Sequence, residues 1–274
     1  MTDLRLEFES SLRLRNYSPK TIKNYTLCVA RFAKHFNRCP KELGPKEIKA
    51  YLLYLIDEKQ CSWSAYRQTI CGLRFLYTKV LEHEWMAEHL PFPRRERPLP
   101  QFLTTDEVRL VFSVIENQKH LIMLETIFAT GVRCGELVKL KVADIDSSRK
   151  VITIRDGKGK KERLTLLSDP LLAKLRKYYQ QYKPKEWLFE GNSTHASTSV
   201  PQKSCQRAEE ISGVGKRVTP HILRHSFATA LLEQGVDLVT ISNLLGHSRI
   251  KTTELYTHVT LKKLQSTASP IDSL

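Results

Sequence analysis

The sequence has no apolar run approaching the roughly 18 residues that a membrane-crossing helix requires. Its opening stretch, MTDLRLEFES, carries acidic side chains and lacks the apolar segment of a secretory signal. The chain therefore reads as cytoplasmic. Its six cysteines are scattered at positions 28, 39, 61, 71, 134 and 205. None forms a Cys-x-x-Cys pair or has a histidine at zinc-finger spacing, so no metal site is expected. Single thiols of this kind are ordinarily small core residues. There is no glycine-rich phosphate loop and no carboxylate triad for a metal, which leaves nucleotide-driven and metal-ion chemistry without support. No cofactor is expected. Internal repeats and low-complexity tracts are also missing, which excludes a solenoid.

What the chain does have is positive charge. Lys and Arg total 44 against 29 Asp and Glu, for a net +15 over 274 residues. Such a balance attracts a polyanion, nucleic acid first and an anionic membrane second. Residues 1–100 hold 18 basic and 11 acidic side chains, and the remainder holds 26 and 18. The excess is spread over both halves, so both can touch one polyanion. Apolar content of 41% is enough for one large domain or two modest ones.

The first part reads as four helices. Leu4, Leu6, Phe8, Leu12 and Leu14 open with loosely helical periodicity. Asn16-Tyr17-Ser18-Pro19 stops one helix and starts another, with Ser18 as N-cap and Pro19 at the first helical position. Ile22, Tyr25, Val29, Phe32, Ala33 and Phe36 give the second helix its apolar stripe. Pro40 and Gly44-Pro45 break the chain. Ile48, Tyr51, Leu52, Leu55 and Ile56 make a third helix, and Ser62 caps a fourth carrying Tyr66, Ile70, Leu73, Leu76, Tyr77 and Val80 inward. A small all-α domain over residues 1–88 follows.

Residues 89–102, HLPFPRRERPLPQF, interleave four prolines with three arginines. That composition forbids a helix or a central strand and reads as an extended basic linker. The second domain, 103–274, begins with Thr104 or Thr105 as a helix cap. Leu121 to Ala129 is a buried helix ended by Thr130-Gly131, and a short helix over Cys134 to Leu140 opens beside Arg133. Val151–Ile154 and Arg163–Leu166 read as two strands of a hairpin with Lys158 at its tip. Helices follow from Pro170 to Tyr182 and from Ser199 to Ile211, with a polar loop at 191–199. Another begins at Thr219, with Pro220 in its first turn. The fold class is mainly α with a small antiparallel sheet.

The chemistry concentrates in residues 219–258. His221 and Arg224, three apart, share a helical face near a helix N-terminus, where backbone N–H groups favour an anion. Alone, such a pair more often makes surface salt bridges. Arg133 follows Gly131, which lets backbone approach closely, and Glu136 is placed to hold its guanidinium. Two arginines can grip a phosphate bidentately, as lysine cannot. Of ten tyrosines, Tyr25, Tyr51, Tyr66 and Tyr77 sit at core positions of the first domain, and Tyr178, Tyr179 and Tyr182 lie on an amphipathic helix. Tyr256 differs in having His247 nine residues before it and His258 just after. A phenol attacks at neutral pH only when cations and a nearby base assist it.

Four stretches, Thr-Gly-Val-Arg-Cys-Gly-Glu-Leu (130–137), Gly-Lys-Gly-Lys-Lys-Glu-Arg (157–163), His-Ile-Leu-Arg-His-Ser-Phe-Ala-Thr (221–229) and Leu-Gly-His-Ser-Arg-Ile-Lys-Thr-Thr-Glu-Leu-Tyr-Thr-His (245–258), together closely resemble the tyrosine recombinase, or phage-type integrase, family. The likeness runs over the whole chain and is nearest to Xer-like and integron- or transposon-borne members. The chain has no long insertion between Lys158 and His221, which weighs against the integron-borne ones. The resemblance implies a SAM-like core-binding domain, a linker and a catalytic domain. It implies that Arg133, Lys158, His221, Arg224, His247 and Tyr256 form the catalytic set. Tyr256 would be the nucleophile that forms a 3′-phosphotyrosyl link, and Lys158 would protonate the departing 5′ oxygen. Lys160 and Lys161 stand close enough to leave that choice open.

The implied substrate is double-stranded DNA carrying recombination sites, clamped from two sides by the two domains. The implied assembly is a homotetramer exchanging strands through a Holliday junction, with no membrane partner and a nucleoid-associated location. A type IB topoisomerase-like nicking–closing enzyme and a non-catalytic architectural DNA binder are the alternatives.

Overall fold

The computed structural model describes residues 3–83, 101–155 and 162–246. The chain divides into two compact units, Met1–Arg97 and Pro98–Leu274.

In the first unit the expected four helices form: α1 (Asp3–Leu14), α2 (Pro19–Phe36), α3 (Pro45–Asp57) and α4 (Trp63–Lys79). Ser18 and Ser62 cap α2 and α4, their hydroxyls accepting from the Thr21 and Ala65 amides. Asn37 ends α2 in the left-handed region, where its short polar side chain is tolerated. Helices α2 and α4 pack on each other, and Phe8, Leu12, Phe32, Leu52, Ile70, Leu73 and Leu76 close the core. The Tyr77 hydroxyl lies 2.8 and 2.7 Å from the Pro40 and Leu43 carbonyls, so one hydrogen is shared across the turn before α3.

The second unit is built around α6 (Gln118–Thr130), whose Met123, Leu124 and Ile127 are fully enclosed. Helix α5 (Thr105–Ser113) precedes it. Its cap is Thr104, in a reciprocal pair with Glu107. Helices α8 (Asp169–Tyr182), α9 (Ser199–Ser212) and α10 (Pro220–Glu233) pack around α6. The sheet has three strands, β1 (Ile145–Asp146), β2 (Val151–Ile154) and β3 (Arg163–Leu166), antiparallel and in that order. Ile154 pairs with Arg163 and Val151 with Leu166. The Thr165 hydroxyl, buried on β3, donates to the Thr130 carbonyl at 2.7 Å and fastens the sheet to the end of α6.

Three elements differ from expectation. The helix after Arg133, α7, spans only Cys134–Leu137, because the chain turns at Val138 to bring Leu140 and Val142 beside Glu186 and Leu188. Strand β1 is two residues long and too short to leave a periodic signal. Helix α11 (Leu238–Leu245) was not read from the sequence. Its Asp237 cap accepts from the Val239 and Thr240 amides. Of the cysteines only Cys28 and Cys205 are buried, and Cys39 is exposed. Among the described residues no helix is long and apolar enough to cross a membrane.

Candidate active site

Gly131 ends α6 in the left-handed region at φ 64°. A Cβ here would lie 2.4 Å from the Phe227 ring and 2.8 Å from Leu245, so α10 and α11 come within contact of the backbone at this turn. Arg133 follows as the N-cap residue of α7. Its amide donates to Glu136 Oε2 at 2.8 Å and its Nη1 to Glu136 Oε1 at 2.8 Å. Its Nη2 donates to the Gly246 carbonyl at 3.1 Å. The role expected of Glu136, holding the Arg133 guanidinium, is present in these bonds.

Thr219 caps α10 by accepting from the Ile222 amide, and Pro220 fills the first turn. That start places His221 and Arg224 one turn apart. Arg224 is 2% exposed and is no surface salt-bridge former. Its Nη1 donates to the Gly131 carbonyl at 2.6 Å and its Nη2 to the Leu245 carbonyl at 2.7 Å. Glu136 Oε2 stands 4.0 Å from Nη1. His221 keeps an accessible edge, and its Nε2 is 3.0 Å from the His225 Nε2. One of these nitrogens must carry the hydrogen, so the two rings share a proton at that contact. Desolvation, then the charges of Arg224 and Arg133, hold the His221 imidazole below its ordinary value.

Arg133, His221, Arg224 and Gly246 line one cleft of about 1180 Å³, with Gln202, Gln206 and Arg217 on its walls. Three of the six expected catalytic residues, Arg133, His221 and Arg224, thus converge on one concave surface. Lys158, His247 and Tyr256 lie outside the described residues. The Ile154–Arg163 pairing brackets the segment that contains Lys158, and His247 directly follows Gly246.

Sequence reasoning missed two participants. Arg163 on β3 takes Glu136 in a fork, Nη1 to Oε1 at 3.0 Å and Nη2 to Oε2 at 2.7 Å. Its Nε donates to the Leu244 carbonyl at 2.9 Å. It closes a run rich in basic residues at 158–163, and residue type alone does not single it out from the lysines before it. His225 was also passed over, although it directly follows Arg224 in the 221–229 stretch.

Residues 101–263 match the phage integrase family, and residues 4–87 match the phage integrase N-terminal SAM-like domain. A putative integrase/recombinase of Sinorhizobium fredii, y4qK, is 40% identical over all of this chain and 90% of its own length. The tyrosine recombinase XerA of Pyrococcus horikoshii is 32% identical over 96% of this chain and 92% of its own. The fold matches that of a lambda integrase dimer bound to a COC′ core site at a TM-score of 0.75, 19% identity, and coverage of 96% and 95% of the two chains. By the family match over the catalytic half and the full-length relatives together, the chain belongs to the phage integrase family of tyrosine recombinases.

Proposed function

We propose that this tyrosine-type site-specific recombinase cuts and rejoins double-stranded DNA with Tyr256 as nucleophile, through a 3′-phosphotyrosyl intermediate. The observation that carries the reading is the convergence of Arg133, Arg224 and His221 on one cleft beside the carbonyl of Gly246. A partly exposed guanidinium and a buried one give the cleft a fixed positive field. Such a field stabilises the extra charge of a pentacoordinate phosphorus without reorganising during reaction. His221, its imidazole shifted below the ordinary value by burial and by the two arginines, can accept the phenol proton in its neutral form. As the Tyr256 oxygen bonds to phosphorus, the bond to the 5′ oxygen breaks, and Lys158 supplies that oxygen's proton. The charge of Arg133, Arg224 and His247 surrounds the phosphate oxygens. A 5′ hydroxyl from another strand then attacks the phosphotyrosine, which restores the phenol and conserves the phosphodiester.

We further propose that four copies assemble on two duplexes and exchange strands through a Holliday junction. The integrase and recombinase relatives favour this over a nicking–closing enzyme or an architectural binder. The test is covalent trapping on a pool of nicked suicide duplexes of randomised sequence, from which the preferred site is recovered by sequencing the trapped ends. Wild-type protein should accumulate a DNA adduct that resists denaturation, and Tyr256→Phe should form none. Equal behaviour of the two proteins would overturn the reading.

A further inference from the structure

We infer that Arg163 is a positioning residue for strand cleavage: it ties the carboxylate that holds Arg133 to the helix end that leads into His247. This rests on the recombinase reading above. The last two carbonyls of α11, at Leu244 and Leu245, and that of its cap Gly246 are each taken by a different guanidinium: Arg163, Arg224 and Arg133 in that order. Carbonyls at a helix C-terminus lack intrahelical partners, and the helix dipole there favours cations. The same three guanidiniums meet Glu136 on their other side, Arg163 through two bonds, Arg133 through one, and Arg224 at 4.0 Å. Three positive groups thus form a layer between one carboxylate and one helix end.

Within that layer Arg163 has no place in the catalytic set that the sequence resemblance implies. Its side chain is 10% exposed against 30% for Arg133, so it faces inward while Arg133 keeps an open edge on the cleft. Two consequences follow from its position. First, it binds both Glu136 oxygens, so one cation neutralises the carboxylate and the charges of Arg133 and Arg224 remain directed to the cleft. Second, it joins three segments that carry assigned residues: β3, which follows the Lys158 segment; α7, whose Glu136 orients Arg133; and the end of α11, which runs into His247. The contact is tight. Gly246, at φ 63°, would place a Cβ 2.8 Å from Arg163 Cδ. A lysine at 163 keeps the charge but cannot bridge two carboxylate oxygens and a carbonyl from one rigid plane.

The experiment uses the full chain and the nicked duplex recovered by trapping. It measures two quantities separately: affinity for the intact duplex, and the rate of adduct formation at saturating DNA. Arg163→Met and Arg163→Lys should each slow adduct formation by about 10- to 100-fold, the loss typical when a partner that orients a functional group is removed. Duplex affinity should stay at the wild-type value. An unchanged rate, or a rate and an affinity that fall by the same factor, overturns the positioning role. Should Arg163→Met fail to melt cooperatively, Arg163→Lys decides the question by the same two measurements. A wild-type protein that forms no adduct sinks the recombinase reading itself, and the role of Arg163 falls with it.

Discussion

At the scale of single residues, Glu136 shows how competing effects are resolved. Burial raises a carboxyl's pKa, and Glu136 has only 6% of its side chain exposed. The bonds from Arg163 and Arg133 outweigh that penalty and hold the group down at about 2. Between pH 4.5 and about 2, folded Glu136 binds fewer protons than its unfolded counterpart. Its stabilisation is therefore complete above 4.5 and lost as the pH falls toward 2, an effect on the order of 3 kcal/mol. Glu136→Gln should accordingly cost most at neutral pH, because it leaves three guanidiniums without their anion. Denaturant melts across that range should show the wild-type and variant curves drawing together as acid protonates the carboxyl. A constant gap would show that the charge of Glu136 is not what the arginines need. The sequence disclosed Glu136 because it stands three residues after Arg133, the spacing of one helical turn. It did not disclose Arg163, whose partners are 27 and 81 residues away.

At the scale of elements, the helices of the first unit were legible because caps and apolar period agree. Ser18-Pro19 and Ser62 mark starts, and Phe32, Ile70 and Leu73 mark the buried stripe. Where the pattern is short, the signal fades. β1 offers two residues, and α11 offers eight, with β-branched Val239, Thr240 and Ile241 that suit a strand equally well. Residue types alone do not show that α11 ends where three arginines meet. The turn after α6 was legible as a glycine stop, and its steric role can be measured. Gly131→Ala places a methyl in the left-handed region and drives it into Phe227. Backbone cost and overpacking together should remove about 2–4 kcal/mol. Gly213 ends α9 at φ 62°, and a Cβ added there would meet nothing within 4 Å. Gly213→Ala should therefore cost only the backbone part, about 1–2 kcal/mol. Chemical denaturation of both variants separates the two contributions. Equal losses would mean that Phe227 and Leu245 yield to the extra methyl, and that the closeness of α10 and α11 to this turn has no energetic weight.

At the scale of the whole molecule, charge is the property most easily read and least tied to the fold. The net +15 is divided between residues 1–100 and the rest, with no basic tail to concentrate it. If both units contact the backbone of one duplex, binding must release counterions from both sets of contacts. The logarithm of affinity then falls linearly with the logarithm of salt, with a slope of about −0.9 per phosphate neutralised. Six or more such contacts would lower affinity at least about 1,000-fold between 50 and 200 mM salt. Fluorescence anisotropy on a non-specific duplex of about 30 base pairs would give the slope for the full chain. Charge-reversing Lys20, Lys23, Arg31 and Lys34, which lie on α2, should then make the slope shallower by the number of contacts they supply. Cleavage chemistry at saturating DNA should be unaffected by that change, because none of the four residues belongs to the catalytic set. A slope that stays the same would show that these four side chains of α2 neutralise no phosphate, and their charge would then serve solubility.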